Sequence, residues 1–287
     1  MASIRDIKRR RESISSTEQI TRAMKLVSTV KLQKARETAE NARPYTNVLY
    51  EAVRMILSRV TAPDHKYLTE KTEGKTCVIL ISGNRGLCGG YNQNVIRRVL
   101  ERKIKPEDMA LIAMGKKGRE TMESKGYTVW KDLSEVVNSP LYKDAIALSD
   151  SLLKSYENGE IKEIYLAYTE FKNTVSHDPR LVRLLPVDTE HEELAEDDND
   201  ITLPMNFDPN DEEVLDSLIP QYMTSLIYGG LLQSVASENA ARMQAMDSAT
   251  ENAEEMIEKL GLLYNRARQS SITQELTEII AGRNAVS

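Results

Sequence analysis

The chain has 287 residues, 40% of them hydrophobic but only 5% aromatic, and a formal charge of −6. Two cysteines are too few for a disulfide scaffold. No apolar run reaches the roughly 18 residues that a membrane-spanning helix needs, so any membrane association is expected to come through partners. The charge is unevenly spread: residues 1–60 hold thirteen Lys and Arg against six acids, whereas residues 186–216 hold thirteen acids and no Lys or Arg. The opening MASIRDIKRRR lacks the apolar segment of a secretory signal, so none is expected.

In chain order, Ser3 and Asp6 make a start resembling a capping box, and a long helical pattern follows to about Arg43. Ile4, Ile7, Ile14, Ile20, Met24, Val27 and Val30, with Thr17 and Thr21, form a thin stripe suited to a two-helix seam rather than a broad core. Pro44 is expected to bend or break this helix, which resumes through Val48, Leu49, Ala52, Val53, Ile56 and Leu57. Thr61 to Gly74 reads as a polar linker.

The pattern then changes. Cys77–Ser82 is a short continuous apolar run, as a buried parallel strand requires. A glycine-rich turn from Gly83 to Gly90 and a helical pattern from Tyr91 to Lys103 follow it. Further strands are expected at 110–114, 127–130, 163–171 and 181–185, with helices at 116–124 and 141–157 between them. The last two strands read as a hairpin across Asp178-Pro179. This alternation predicts an α/β domain with a mostly parallel sheet. Thr189 to Thr202 reads as an acidic loop.

The C-terminal stretch predicts a second long helix. Asp208 suits an N-cap, Pro209 the first turn and Gly282 the stop, with an uninterrupted body from about Gln221 to Ala281. Met243, Met246, Thr250, Ala253, Ile257, Leu260, Tyr264, Ala267 and Ser271 step by three and four in alternation, the period of a helix lying along another. Because the chain leaves and returns at one end, the two terminal helices are expected to pair antiparallel. Ala236, Ala240, Ala253 and Ala267 would let them approach closely. The domains expected are an N-terminal helix over 1–60, an α/β domain over 75–188, an acidic loop over 189–207 and a C-terminal helix over 208–287.

Candidate chemistry is sparse. Gly83, Gly86, Gly89 and Gly90 stand where a dinucleotide fingerprint would sit, but their spacing is GxxGxxGG rather than GxGxxG. A tight turn closing a small sheet is the simpler reading. His65, His177 and His191 are scattered, and Cys77 and Cys88 have no ligand-spaced partner. Asp197, Asp198 and Asp200 lack the calcium-loop pattern. No cofactor or metal is expected. The basic run Lys8 to Arg11 fits a nucleic-acid arm, an acidic protein surface or a solvated face.

At the terminal helices the sequence takes on a recognisable form. Ile20–Ala35 (ITRAMKLVSTVKLQKA), Ser237–Ala253 (SENAARMQAMDSATENA) and Tyr264–Gly282 (YNRARQSSITQELTEIIAG) resemble the signatures of the gamma chain of bacterial-type F-type ATP synthases. Ser82–Asn92 (SGNRGLCGGYN) is similar to that family's inner strand and turn, usually written with Asp where Asn84 stands here. The resemblance implies a fold in which N- and C-terminal helices form a long antiparallel coiled coil with an inserted Rossmann-like α/β domain. It implies a central-stalk rotor subunit without a catalytic site, which couples proton or sodium flow to ATP synthesis or hydrolysis. The implied partners are three alpha and three beta subunits, an epsilon subunit and the membrane c-ring. The expected location is peripheral, on the cytoplasmic face of a bacterial plasma membrane, with no nucleic acid bound.

Carried over residue by residue, Arg268, Gln269, Thr273 and Glu275 match the C-terminal residues that hydrogen-bond to loops of the catalytic ring. Met24 and Lys25 match the facing region of the N-terminal helix, and Arg242 the Arg of the AARM motif. Lys8, Arg9, Arg10, Lys31 and Lys34 are expected as electrostatic contacts with acidic beta-subunit segments. Gly229-Gly230 departs from the pattern and is expected to soften the helix locally. Two other classes stay open on the residues alone: a nucleotide-dependent enzyme built on the α/β domain, and a nucleic-acid-binding coiled-coil arm.

Overall fold

A computed structural model describes residues 4–57, 65–187 and 211–286. The elements are α1 (Ile4–Leu57), β1 (Lys75–Ile81), α2 (Tyr91–Leu100), β2 (Met109–Met114), α3 (Lys116–Ser124), β3 (Val129–Asp132), α4 (Tyr142–Glu157), β4 (Ile161–Phe171), β5 (His177–Leu185) and α5 (Asp211–Val286). Long helices at both ends thus enclose an α/β domain. Two compact units divide the chain, one of Met1–Thr29 with Arg242–Ser287 and one of Val30–Ala241.

In the larger unit the sheet order is β3-β2-β1-β4-β5. The first four strands are mutually parallel, and β5 runs antiparallel beside β4. Because side chains alternate across a strand, β1 feeds two cores. Val78 and Leu80 pack with Val95, Ile96 and Val99 of α2 and Met122 of α3. Cys77, Ile79 and Ile81 pack on the other side with Leu148, Leu152 and Tyr156 of α4 and with Leu215, Ile219, Met223, Ile227 and Leu231 of α5. Both faces of the sheet are therefore covered, which is why β1 and β2 read as unbroken apolar runs.

Several boundaries differ from the sequence expectation. Pro44 does not break α1, which continues to Leu57. Packing on both sides of the proline, through Leu32 and Ala35 before it and Leu49 and Val53 after it, outweighs the lost hydrogen bond. α5 likewise runs unbroken through Pro220, ahead of the uninterrupted body expected from about Gln221, and through Gly282 to Val286 rather than stopping there. The carbonyl of Pro220 accepts bonds from Thr224 Oγ1 at 2.8 Å and Ser149 Oγ at 3.4 Å. The expected caps Asp208 and Pro209, and the acidic loop 189–207, lie outside the described residues. The hairpin does not turn at Asp178-Pro179. The turn lies at 172–176, and Pro179 sits inside β5 opposite Thr169. β5 is an edge strand, the place where a residue without an N–H is tolerated.

The glycine turn after β1 satisfies the start of α3. Three backbone N–H groups open that helix without intrahelical partners. Lys116 N–H donates to Asn84 Oδ1 at 2.9 Å, Lys117 N–H to the Gly83 carbonyl at 3.0 Å and Gly118 N–H to Ser82 Oγ at 2.9 Å. Ser82, fully buried, in turn donates to the Gly115 carbonyl at 3.2 Å. Ser82→Ala leaves the buried Gly118 N–H without its partner, while the Gly115 carbonyl keeps only the Arg119 N–H at 3.2 Å. Urea denaturation is expected to register a loss of about 1–3 kcal/mol; an unchanged midpoint and slope would show that these groups find other partners.

In the smaller unit α1 and α5 pair antiparallel. Arg11 lies over the ring of Tyr264, Arg22 pairs with Glu254 at 2.6 Å, and Lys25 pairs with Asp247. Between them the buried Thr250 hydroxyl donates to that of Thr21 at 2.8 Å. The whole predicted stripe of α5 from Met243 to Ser271 is buried or half-buried. That of α1 is not. Ile20 and Val27 are 58% and 56% exposed, and Thr17 is exposed as well. The true seam runs Ile4, Ile7, Arg11, Ile14, Glu18, Thr21, Lys25 and Ser28. It keeps the seven-residue period by using polar residues, whereas counting only apolar ones leads off the seam. In the larger unit Val30, the last residue of the predicted stripe, is also exposed.

Candidate functional site

Doubly wound sheets bind ligands in the crevice at the carboxyl ends of neighbouring strands where the winding reverses. Here that crevice lies between β1 and β4, and α5 occupies it. Gly230 packs against β4, where an added Cβ would lie 3.0 Å from Leu166 Cδ2 and 3.4 Å from Tyr168 Cγ. One turn on, Ser234 Oγ accepts the Thr169 N–H at 3.1 Å, and Ser237 Oγ donates to the Thr169 carbonyl at 3.2 Å. Glu238 lies against Gly83, whose Cβ, if present, would meet its Oε1 at 2.9 Å. Ala241 closes the row against Cys88 and Tyr91. Gly230 is thus a close-approach glycine rather than a soft point, and the loop that resembled a nucleotide fingerprint packs against the chain's own helix. Ser234 escaped sequence reading, and Gly230, Ser237 and Glu238 were noticed there without this packing role. The three- and four-residue spacing of small residues was the available signal.

At the other end of the domain, a polar cluster ties the turn before β1 to α4 and α5. Lys66 Nζ lies 3.0 Å from both Glu157 and Asp216. Burial alone would lower its pKa, but its hydrogen bonds to Asp216 and Glu157 outweigh that and hold it above the usual lysine range. Tyr67 donates to Glu157 at 2.7 Å; burial and then this bond push its phenol up to about 12. His65 is buried, accepting the Tyr67 N–H on Nδ1 at 3.3 Å, with Nε2 at 3.3 Å from Asp216 but not aligned for a hydrogen bond. Among the described residues no group of His, Cys, Asp and Glu could hold a metal ion.

The Tyr67 hydroxyl, followed by the Lys66 ammonium, holds Glu157 below its ordinary carboxylate value. A carboxylate whose pKa is depressed on folding stabilises the native state above its unfolded value, about 4.3, and loses that contribution as pH falls through the native one. Glu157→Gln is therefore expected to lower the urea midpoint at pH 7 and to converge on the parent below about pH 4. A deficit independent of pH would rule this account out.

The other singled-out residues lie on the paired helices. Arg268, Gln269, Thr273 and Glu275 are exposed within two turns of α5. Thr273 Oγ1 donates to the Gln269 carbonyl at 2.9 Å, and Ser271 Oγ lies 3.4 Å from Glu275. Met24 and Lys25 are half-buried, and Lys25 is paired to Asp247. The two sets are not brought together: Asp247 and Gln269 are about 33 Å apart along the helix at 1.5 Å per residue. Arg242 is half-buried on α5. Lys8 and Arg9 make exposed pairs with Glu12 at 3.9 Å and Asp6 at 3.6 Å, and Arg10, Lys31 and Lys34 are exposed. The outer surface is not uniformly polar. Beyond Ser271 the α5 residues 272–281 are all exposed, including Ile272, Leu276, Ile279 and Ile280.

A family profile described as ATP synthase matches residues 3–286. The ATP synthase gamma chain of Lachnoclostridium phytofermentans is 56% identical over 290 aligned residues that span the whole of both chains. The chain belongs to the ATP synthase gamma-chain family. A sodium-ion-specific gamma chain of Acetobacterium woodii is 37% identical, over 99% of this chain and 98% of its own. The gamma-chain fold recurs in solved structures of low identity. A chain of the Euglena gracilis mitochondrial ATP synthase in rotational state 3 matches with a TM-score of 0.67 at 21% identity, covering 99% of this chain and 94% of that one. A chain from the central stalk and c-ring of the Tetrahymena thermophila enzyme matches at 0.61 and 23%, covering 80% and 99%. No helix among the described residues is long and apolar enough to cross a membrane.

Proposed function

We propose that this gamma chain is the shaft of a bacterial rotary ATP synthase, turning inside a ring of three alpha and three beta subunits and carrying torque between that ring and a membrane c-ring. In this reading residues 1–60 and 208–287 are the arms of the shaft. Residues 75–188 are a foot that meets the epsilon subunit and the c-ring, at the cytoplasmic face of the plasma membrane. The shaft has no catalytic site of its own, and ATP chemistry belongs to the ring.

The observation that carries this reading is the end of the paired helices. The α5 seam closes at Ser271, and past it the helix continues with Ile272, Leu276, Ile279 and Ile280 exposed beside Gln269, Thr273 and Glu275. An apolar stripe of this kind on an otherwise charged helix marks a surface that a partner covers. Arg268, Gln269, Thr273 and Glu275 are assigned to loops of the ring, with Met24, Lys25 and Arg242 as further contacts along the shaft. Lys8, Arg9, Arg10, Lys31 and Lys34 are assigned to acidic segments of the beta subunits. The test is reconstitution with alpha and beta subunits from the same source. A complex with one copy of this chain to three of each partner, and faster ATP hydrolysis than without it, is the expected result. A folded chain that stays apart and changes nothing overturns the assignment.

A further inference from the structure

Resting on the shaft reading, we infer that the crevice between β1 and β4 is a socket in which Ser234 and Ser237 fix the axial and rotational position of α5, so that torque passes between foot and shaft without slip. The apolar contact of α5 with the domain, from Leu215 to Leu231, is extensive but non-directional. It resists separation through burial and sliding through close packing, and neither is tied to one strand residue. Directional bonds from helix to strand set the register.

The strand has such bonds to give. The β1–β4 ladder ends at the pair Leu80 and Ala167, so Thr169 lies past its last partner in β1. On the other flank Thr169 faces Pro179, which has no N–H. Both backbone groups of Thr169 are taken by α5 instead, the N–H by Ser234 and the carbonyl by Ser237. Both serines are 0% exposed, so water does not compete for these bonds. Gly230, one turn before Ser234, lets the helix come close enough to make them. The helix thereby replaces a missing strand at one residue. These are positioning residues that touch no nucleotide or transported ion.

The experiment uses the whole enzyme in sealed vesicles, with ATP hydrolysis and ATP-driven cation uptake measured together by a proton-sensitive dye and radioactive sodium. The double variant Ser234→Ala with Ser237→Ala is compared with Ile219→Val, which trims the apolar contact and leaves the bonds intact. The serine variant is expected to keep hydrolysing ATP but to slip about fivefold more often, the population change that about one net hydrogen bond commands, and so to move fewer cations per ATP. The Ile219→Val enzyme is expected to keep the parental ratio. A parental ratio in the serine variant, or an equal fall in both, overturns the socket. If the unsubstituted chain supports hydrolysis but no cation uptake in its own complex, the shaft reading fails whatever the serines do.

Discussion

Gly115→Ala is expected to unfold the α/β domain at temperatures where the parent is native. Gly115 joins β2 to α3 with φ at +125°, a conformation L side chains rarely adopt. An added Cβ would lie 2.1 Å from the carbonyl oxygen of Ser82 and 2.5 Å from its carbonyl carbon. Those atoms directly follow β1, the central strand, and are backbone with no free end to swing aside. Relief requires β1 and β2 to part at the turn, which also strains the bonds from Ser82 and Gly83 that cap α3. Strain and clash together are expected to cost more than about 4 kcal/mol, out of the roughly 5–15 kcal/mol that holds a domain folded. Thermal melts followed by circular dichroism and by the single Trp130 would show it. A melting temperature within about 3 °C of the parent would mean that the turn relaxes at little cost.

Gln269→Ala combined with Thr273→Val is expected to act on the complex and not on the fold. Both side chains are exposed, and the Thr273 hydroxyl bonds only to the Gln269 backbone carbonyl of its own helix. Surface changes of this kind alter stability by no more than about 0.5 kcal/mol. If these groups meet loops of the catalytic ring, one lost bond in the turning complex lowers steady-state ATP hydrolysis by about tenfold, equivalent to about 1.4 kcal/mol. Unchanged turnover together with unchanged melting would remove both residues from the proposed contact surface.

The fold was legible where periodicity is strong. β1 and β2 are buried on both faces, so their apolar runs are unbroken, and α3 falls at 116–124 as its pattern indicates. The α5 stripe from Met243 to Ser271 was legible because its seam residues are mostly apolar and evenly spaced. The α1 seam was obscured because Arg11, Glu18, Thr21, Lys25 and Ser28 fill it, while Ile20, Val27 and Val30 face outward. Prolines misled for a related reason. A break is a local expectation, and Pro44 and Pro220 both sit in helices whose flanking turns are packed.

What the sequence by itself determined about this gamma chain is its element order and its family, and by resemblance it named Arg268, Gln269, Thr273 and Glu275 as the ring contacts to test. Each is written in local spacing or in a contiguous motif. The tertiary structure alone decided what becomes of the crevice between β1 and β4. The groups that fill it lie far along the chain from what they meet: Gly230 from Leu166 and Tyr168, Ser234 and Ser237 from Thr169, and Glu238 from Gly83. They are small or polar residues whose spacing does not say which strand or turn they will meet. Only the docking of α5 on the sheet gives them partners, because a hydrogen bond depends on position in space and not on distance along the chain.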